Sequence, residues 1–165
     1  VNAGAAALAA LALALAGCAG TDTAPDERTG RVTRVVDGDT IKLGRETVRL
    51  LGIDTPESGR PNTPVECGAK AAGRALRRLL DGREVVLTFD PSQDETDRFG
   101  RTLAYVAVDG RDAGEAMIAA GWAKPYVYQG NEFERVDAYR AAQRRAQADR
   151  AGVFGACGGD FHRAG

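Results

Sequence analysis

The chain has 165 residues, with 22 basic side chains against 23 acidic ones and a formal net charge of −1. That length suits a single domain. The charge balance excludes the strong basic excess of a protein that clamps long stretches of nucleic acid.

Residues 1–17 carry no charge and are nearly all Ala, Leu and Gly, with an unbroken apolar run of 12 from Ala5 to Ala16. The run is too short to span a bilayer as an ordinary helix. It ends in Leu15-Ala16-Gly17-Cys18, the small-residue pattern that precedes a lipid-modified cysteine. The segment is similar to a bacterial lipoprotein signal cleaved before Cys18, although no Lys or Arg precedes the apolar run. The alternative is a buried Ala/Leu helix. Residues 18–30 hold Thr, Asp, Pro and Gly without apolar periodicity and predict a flexible tether. The domain proper is expected over 31–158, with a tail, 159–165, that has little to pack.

Within the domain, 31–36 and 40–43 are short β-branched runs separated by Asp37-Gly38-Asp39, which predicts a hairpin. A third strand is expected over 46–53, ended by Asp54-Thr55-Pro56, and then a Gly/Pro loop over 59–64. Ala69, Ala72, Leu76, Leu79 and Leu80 fall on one face of a predicted helix over 66–80, which Gly82 ends. Strands follow at 84–89 and 103–108. Asp112 and Glu115 have capping-box spacing and open a helix to about 121. The stretch 122–128 is extended or irregular. A second capping pattern at Asn131-Glu132-Phe133-Glu134 predicts a third helix to about 150, with Phe133, Val136, Tyr139 and Ala146 facing the core. Its arginines from 140 to 150 read as a solvated face. The class is α+β: five strands curled into a small OB-fold barrel with three helices.

Cys67 and Cys157 remain once Cys18 is assigned to lipid. Outside the cytoplasm they are expected to pair, closing a loop of about 90 residues worth on the order of 4 kcal/mol. The alternative is two free thiols. The single histidine is His162, in the tail, which argues against histidine acid–base chemistry and against a zinc site built from His and Cys.

Five residues carry the chemistry: Asp39, Arg49, Asp54, Glu57 and Arg101. Three carboxylates and two guanidinium groups beside turn signals suit phosphodiester hydrolysis with a hard metal ion. Asp37-Gly38-Asp39-Thr40, Arg49-Leu50-Leu51, Ile53-Asp54-Thr55-Pro56-Glu57, Asp97-Arg98-Phe99-Gly100-Arg101, Leu103-Ala104-Tyr105 and Tyr126-Val127-Tyr128 resemble, in this order and spacing, the thermonuclease (staphylococcal-nuclease-like) family. The resemblance extends from about residue 31 to 154.

That resemblance implies residue roles. Asp39, Asp54 and the Thr55 carbonyl would hold calcium, with magnesium the lesser choice. Glu57 would orient or deprotonate the attacking water. Arg49 and Arg101 would bind the scissile phosphate through paired hydrogen bonds that Lys cannot make. Arg98 stands where the family commonly has lysine. Tyr126 and Tyr128 match an aromatic pair on which a base can stack. For each arginine the alternative is a surface ion pair, and for the tyrosines core packing or simple exposure. Phe99 departs from a tyrosine common in the family, which puts tight binding of mononucleotide ends in doubt. Residues 58–65 lack the family's lysines.

The implied function is a calcium-dependent nuclease outside the cytoplasm, anchored to the membrane through lipid on Cys18, or secreted if the anchor is lost. As a monomer it would cleave DNA, and RNA as well, to 3′-phosphate and 5′-hydroxyl ends. The rivals are a non-catalytic OB-fold nucleic-acid-binding lipoprotein and a purely structural envelope lipoprotein.

Overall fold

The computed structural model describes residues 26–59 and 64–164. The expected signal peptide, the lipid-bearing Cys18 and the first part of the tether lie outside these residues. So do positions 60–63 of the Gly/Pro loop.

The chain enters as β1 (Glu27–Arg31) and β2 (Arg34–Val35), which are two halves of one bent strand. β1 pairs antiparallel with β6 (Glu84–Thr88), and β2 pairs antiparallel with β3 (Thr40–Leu43). Between the halves, the Val32 N–H donates to Arg83 O and the Thr33 N–H to Lys42 O, both at 2.8 Å. β3 runs into β4 (Glu46–Leu50), and β4 lies parallel to β7 (Thr102–Val108). The sheet order is β1-β6-β7-β4-β3-β2, so its two ends are joined by Val32 and Thr33 and the sheet curls back on itself. The short β8 (Arg111–Asp112) turns back and pairs antiparallel with the end of β7. The fold is α+β, as the strand and helix patterns predicted.

The expected tether is partly strand. β1 starts at Glu27, although its residues are mostly exposed and polar and carry no hydrophobic alternation. Its partners are distant: the β6 backbone and an Arg28–Glu46 ion pair. The expected third strand breaks after Leu50. Gly52 turns the chain with φ 75°, and β5 (Ile53–Asp54) leaves to pair with β9 (Lys124–Pro125). Any Cβ at Gly52 would sit 2.7 Å from the Phe133 ring. Glycine is therefore required there both for its φ and for the close approach.

α1 (Ala69–Leu80) begins three residues later than expected and buries Ala69, Ala72, Gly73, Leu76 and Leu80. These fall at the three- and four-residue steps that place side chains on one helical face. Each fully buried leucine contributes about 1.5–3 kcal/mol. α2 (Ala113–Ala119) is capped as its sequence predicts: Asp112 Oδ1 accepts from the Glu115 N–H at 3.0 Å. α3 (Val136–Ala148) starts later than the Asn131 pattern predicts. Asn131 donates instead to Ser92 O at 2.9 Å, and the Glu134 N–H donates to Asp90 Oδ2 at 2.8 Å. A long-range partner thus replaces the local cap. α4 (Val153–Ala156) is a fourth, short helix.

The core lies between the curled sheet and α1–α3. Tyr105, Phe133 and Tyr139 pack ring against ring there, with centroids 5.3–6.5 Å apart. The tail also packs, contrary to expectation. Phe161 is 5% exposed and meets Phe154, while Glu66 and Ala164 form a β-bridge. The Cys67 and Cys157 sulfurs are 2.08 Å apart, which brings the tail back to the start of α1.

Candidate active site

The hairpin turn between β2 and β3 sets one side of the site. Asp37 Oδ1 accepts the Asp39 N–H at 3.1 Å, the side-chain turn that Asp favours. Gly38 passes so close to Thr55 that a Cβ would lie 2.6 Å from its Oγ1. That approach lets Thr55 Oγ1 reach Asp39 Oδ2 at 3.4 Å, while Thr40 Oγ1 donates to Asp39 Oδ1 at 2.8 Å.

Strand alternation supplies the cation. Val48 and Leu50 are buried, so Arg49 between them points to the opposite face. Its Nη1 lies 2.6 Å from Asp39 Oδ2 and its Nη2 3.6 Å from Asp54 Oδ1, and Nη2 also donates to Ile53 O at 3.1 Å. Burial alone would make the guanidinium easier to deprotonate. The Asp39 charge and hydrogen bond outweigh that, followed by Asp54 and Asp37, and hold its pKa above the ordinary value. Asp37 moves the other way: burial, then the neighbouring Asp39 charge, push its carboxyl up to about 6. Three carboxylates, Asp37, Asp39 and Asp54, thus act on the one Arg49 guanidinium. β5 pairs Asp54 with Lys124 of β9, and Lys124 Nζ lies 3.6 Å from Asp54 Oδ2.

Asp39, Arg49, Asp54 and Thr55 are thus in direct contact or one residue from it. Glu57 lies three residues beyond Asp54 and is exposed. Its N–H donates to Glu66 Oε2 at 2.6 Å, and the Glu66 N–H returns to Glu57 O at 3.0 Å. Arg101 precedes β7, the strand beside β4. Its guanidinium is paired with Asp97, Nη2 at 2.6 Å and Nε at 2.7 Å from Oδ2. Burial would raise the Asp97 carboxyl, but hydrogen bonds from Arg101 and the Phe99 N–H outweigh it and hold it low. Arg98 stacks over exposed Phe99 at 4.7 Å, and Arg101 approaches the same ring at 5.4 Å. Tyr126 and Tyr128 are both exposed, their ring centroids 6.5 Å apart. Tyr126 is anchored through its N–H to Gly52 O at 2.8 Å. Both rings are available to a flat ligand.

Three side chains at the site edge escaped the sequence reading: Glu66, Lys124 and His162. His162 Nε2 lies 3.3 Å from Asp54 Oδ2 and 2.9 Å from Lys124 Nζ, while Nδ1 lies 3.2 Å from Glu66. The cysteine pair was the available signal, because a 67–157 link brings residue 162 close to residue 66.

Among the described residues, no group of three or more His, Cys, Asp or Glu side chains is arranged to hold a metal. Asp39 and Asp54 nevertheless converge on one point, now met by Arg49, and their donors are all oxygen. A sparse oxygen set of this kind fits a hard divalent cation that keeps waters and takes a phosphate oxygen.

The chain is similar to known proteins over most of its length. The family profile described as Staphylococcal nuclease homologue matches residues 47–155. The chain is 38% identical over 126 residues to the thermonuclease of Staphylococcus hyicus, covering 74% of this chain and 73% of that protein. It is 36% identical over 127 residues to the thermonuclease of Staphylococcus intermedius, covering 74% of each. It is 35% identical over 130 residues to endonuclease YncB of Bacillus subtilis (strain 168), covering 76% of this chain. The chain spans only 61% of that relative's length.

Proposed function

The chain belongs to the staphylococcal nuclease homologue family, and from that premise we propose that it is an endonuclease hydrolysing phosphodiester bonds of DNA and RNA. The observation that carries the reading is the convergence of Asp39 and Asp54 on Arg49, with Glu57 three residues beyond Asp54. The names of the relatives, thermonuclease and endonuclease, support the same chemistry.

In this reading Arg49 and Arg101 grip the scissile phosphate. Each guanidinium has a fork of donors suited to two oxygens. Arg101 exchanges its contact with Asp97 for the phosphate, so Asp97 keeps the arginine extended until substrate arrives. Glu57, exposed beside the cluster, takes the proton of the attacking water. Tyr126 and Tyr128 offer rings for a neighbouring base without reading its identity. Asp39, Asp54 and the Thr55 carbonyl hold a calcium ion in preference to magnesium. Bound there, the ion would neutralise charge on a phosphate oxygen. Cleavage leaves 3′-phosphate and 5′-hydroxyl ends.

We place the enzyme outside the cytoplasm, tethered by lipid on Cys18. The apolar segment ending in Leu15-Ala16-Gly17-Cys18 and the cysteine pair of the domain support that location. The test of the activity is incubation with single- and double-stranded DNA and RNA, each with calcium, magnesium or chelator, followed by analysis of the ends. Calcium-dependent shortening with 3′-phosphate ends supports the proposal. Binding without cleavage under every condition returns the non-catalytic module.

A further inference from the structure

The backbone of Glu57, the residue assigned to the attacking water, is hydrogen-bonded to Glu66, which meets the C-terminal segment. Residues 57 and 66 are clamped by two hydrogen bonds: the Glu57 N–H donates to the Glu66 carboxylate at 2.6 Å, and the Glu66 N–H donates to Glu57 O at 3.0 Å. The Glu66 side chain is only 16% exposed. Its other contact is His162, whose Nδ1 lies 3.2 Å from both carboxylate oxygens.

His162 in turn is fixed on its far side, where Lys124 Nζ approaches Nε2 at 2.9 Å. Asp54 Oδ2 lies 3.3 Å from the same nitrogen, so the ring is held between Glu66 on one side and Asp54 with Lys124 on the other. The same Lys124 reaches Asp54. The backbone holding His162 is tied down as well. The Cys67 N–H donates to Arg163 O at 2.7 Å, Ala164 bridges to Glu66, and Cys157 joins Cys67. Phe161 is buried against Phe154, with Lys124 Nζ 5.6 Å from its ring centroid.

We propose that the C-terminal segment 157–164 is a strap that positions the segment carrying Glu57, with Glu66 and His162 as positioning residues acting through the Glu57 backbone. The proposal rests on the reading of Glu57 as the group that handles water. Such a carboxylate must be held closely in place, because a displacement of about 1 Å costs roughly 10²-fold in rate. Glu57 is exposed, and its backbone N–H and C=O are both engaged by residue 66. The Glu66 carboxylate restrains the Glu57 backbone, and the strap orients Glu66.

The experiment uses the full chain, calcium, and an end-labelled single-stranded DNA oligonucleotide, with single-turnover rates, KM and melting measured for each variant. Glu66→Ala is expected to fold and to lower the rate about 10- to 100-fold with little change in KM. Glu66→Gln keeps an oxygen that accepts the Glu57 N–H and is expected within about threefold of the parent. His162→Ala is expected to show a smaller loss in the same parameter. Glu66→Ala should not slow a Glu57→Ala protein further, because it acts through that residue. A parental rate for Glu66→Ala or His162→Ala overturns the proposal. So does a Glu66→Gln variant as slow as Glu66→Ala, or full additivity with Glu57→Ala. If Glu57→Ala itself runs at the parental rate, the role of Glu57 falls first. A slow Glu57→Ala beside a fast Glu66→Ala defeats the strap alone.

Discussion

Replacing Arg49 by alanine removes the cation that touches both Asp39 and Asp54. Two effects follow. In catalysis, one preorganised donor to the developing phosphate charge is lost, which costs about 3–4 kcal/mol, or roughly 10²–10³ in rate. In the metal-free fold, Asp39 loses its closest counter-charge. The Arg49 and Asp39 side chains are 16% and 6% exposed, so solvent screens their contact poorly. Breaking a buried pair costs about 3–5 kcal/mol. Lys124 still faces Asp54, which favours the lower end, near 3 kcal/mol. That corresponds to a fall of roughly 10 °C in Tm for a domain of this size. Calcium held by the same carboxylates would offset part of the loss, so its stabilising effect should be larger in Arg49→Ala than in the parent. Arg49→Lys restores charge but not the fork. It should recover stability and remain slow. The assays are thermal melting in calcium and in chelator, beside single-turnover cleavage. An Arg49→Ala protein with the parental Tm in chelator and a rate within about threefold of the parent would refute the reasoning.

Non-reduced peptide mapping should recover Cys67 linked to Cys157; two freely alkylated thiols in protein taken from the cell envelope would end that reading. The paired Cys67→Ser and Cys157→Ser protein should lose on the order of 4 kcal/mol, because the link spans 90 residues of sequence. At Asp90, burial alone would raise the carboxyl, but hydrogen bonds from Ser92, Tyr105 and the Glu134 N–H outweigh it and hold it below the ordinary range. A depressed carboxylate contributes stability above its unfolded pKa of about 3.9, and that stability is lost as pH falls through the folded value. Asp90→Asn should therefore melt lower than the parent at pH 7, with the gap closing as pH falls below about 4; a gap unchanged with pH would count against the linkage. Cys18→Ser should abolish partitioning into detergent, and unchanged partitioning would remove Cys18 as the anchor.

The parts legible in the sequence were those with local causes. The Asp37-Gly38-Asp39 turn, the apolar face of α1 and the Asp112 cap each arise from residues within one or two turns of one another. Arg49 was legible because an arginine between Val48 and Leu50 has to leave the core on the opposite face. Elements with distant causes were missed or misplaced. β1 carries no alternation because it is an exposed strand held by β6. Asn131 has the look of a cap, but its amide serves Ser92, 39 residues away in sequence. The Glu66 carboxylate that accepts the Glu57 N–H also meets His162, which lies 96 residues from Glu66. No periodicity encodes such a contact, and the cysteine pair alone hinted that the tail returns.

The most direct test of the account is single-turnover cleavage of an end-labelled DNA oligonucleotide by the parent and by Glu57→Ala, each with calcium and with chelator. Glu57 and the arginines act together on one transition state, so losing Glu57 should remove most of the turnover while the protein stays folded. The account predicts calcium-dependent cleavage by the parent, and a Glu57→Ala protein that binds the oligonucleotide within about tenfold of the parent but is slower by at least about 10². A folded Glu57→Ala protein cutting at the parental rate, or a parent that binds DNA and never cuts it, would contradict the site assignment.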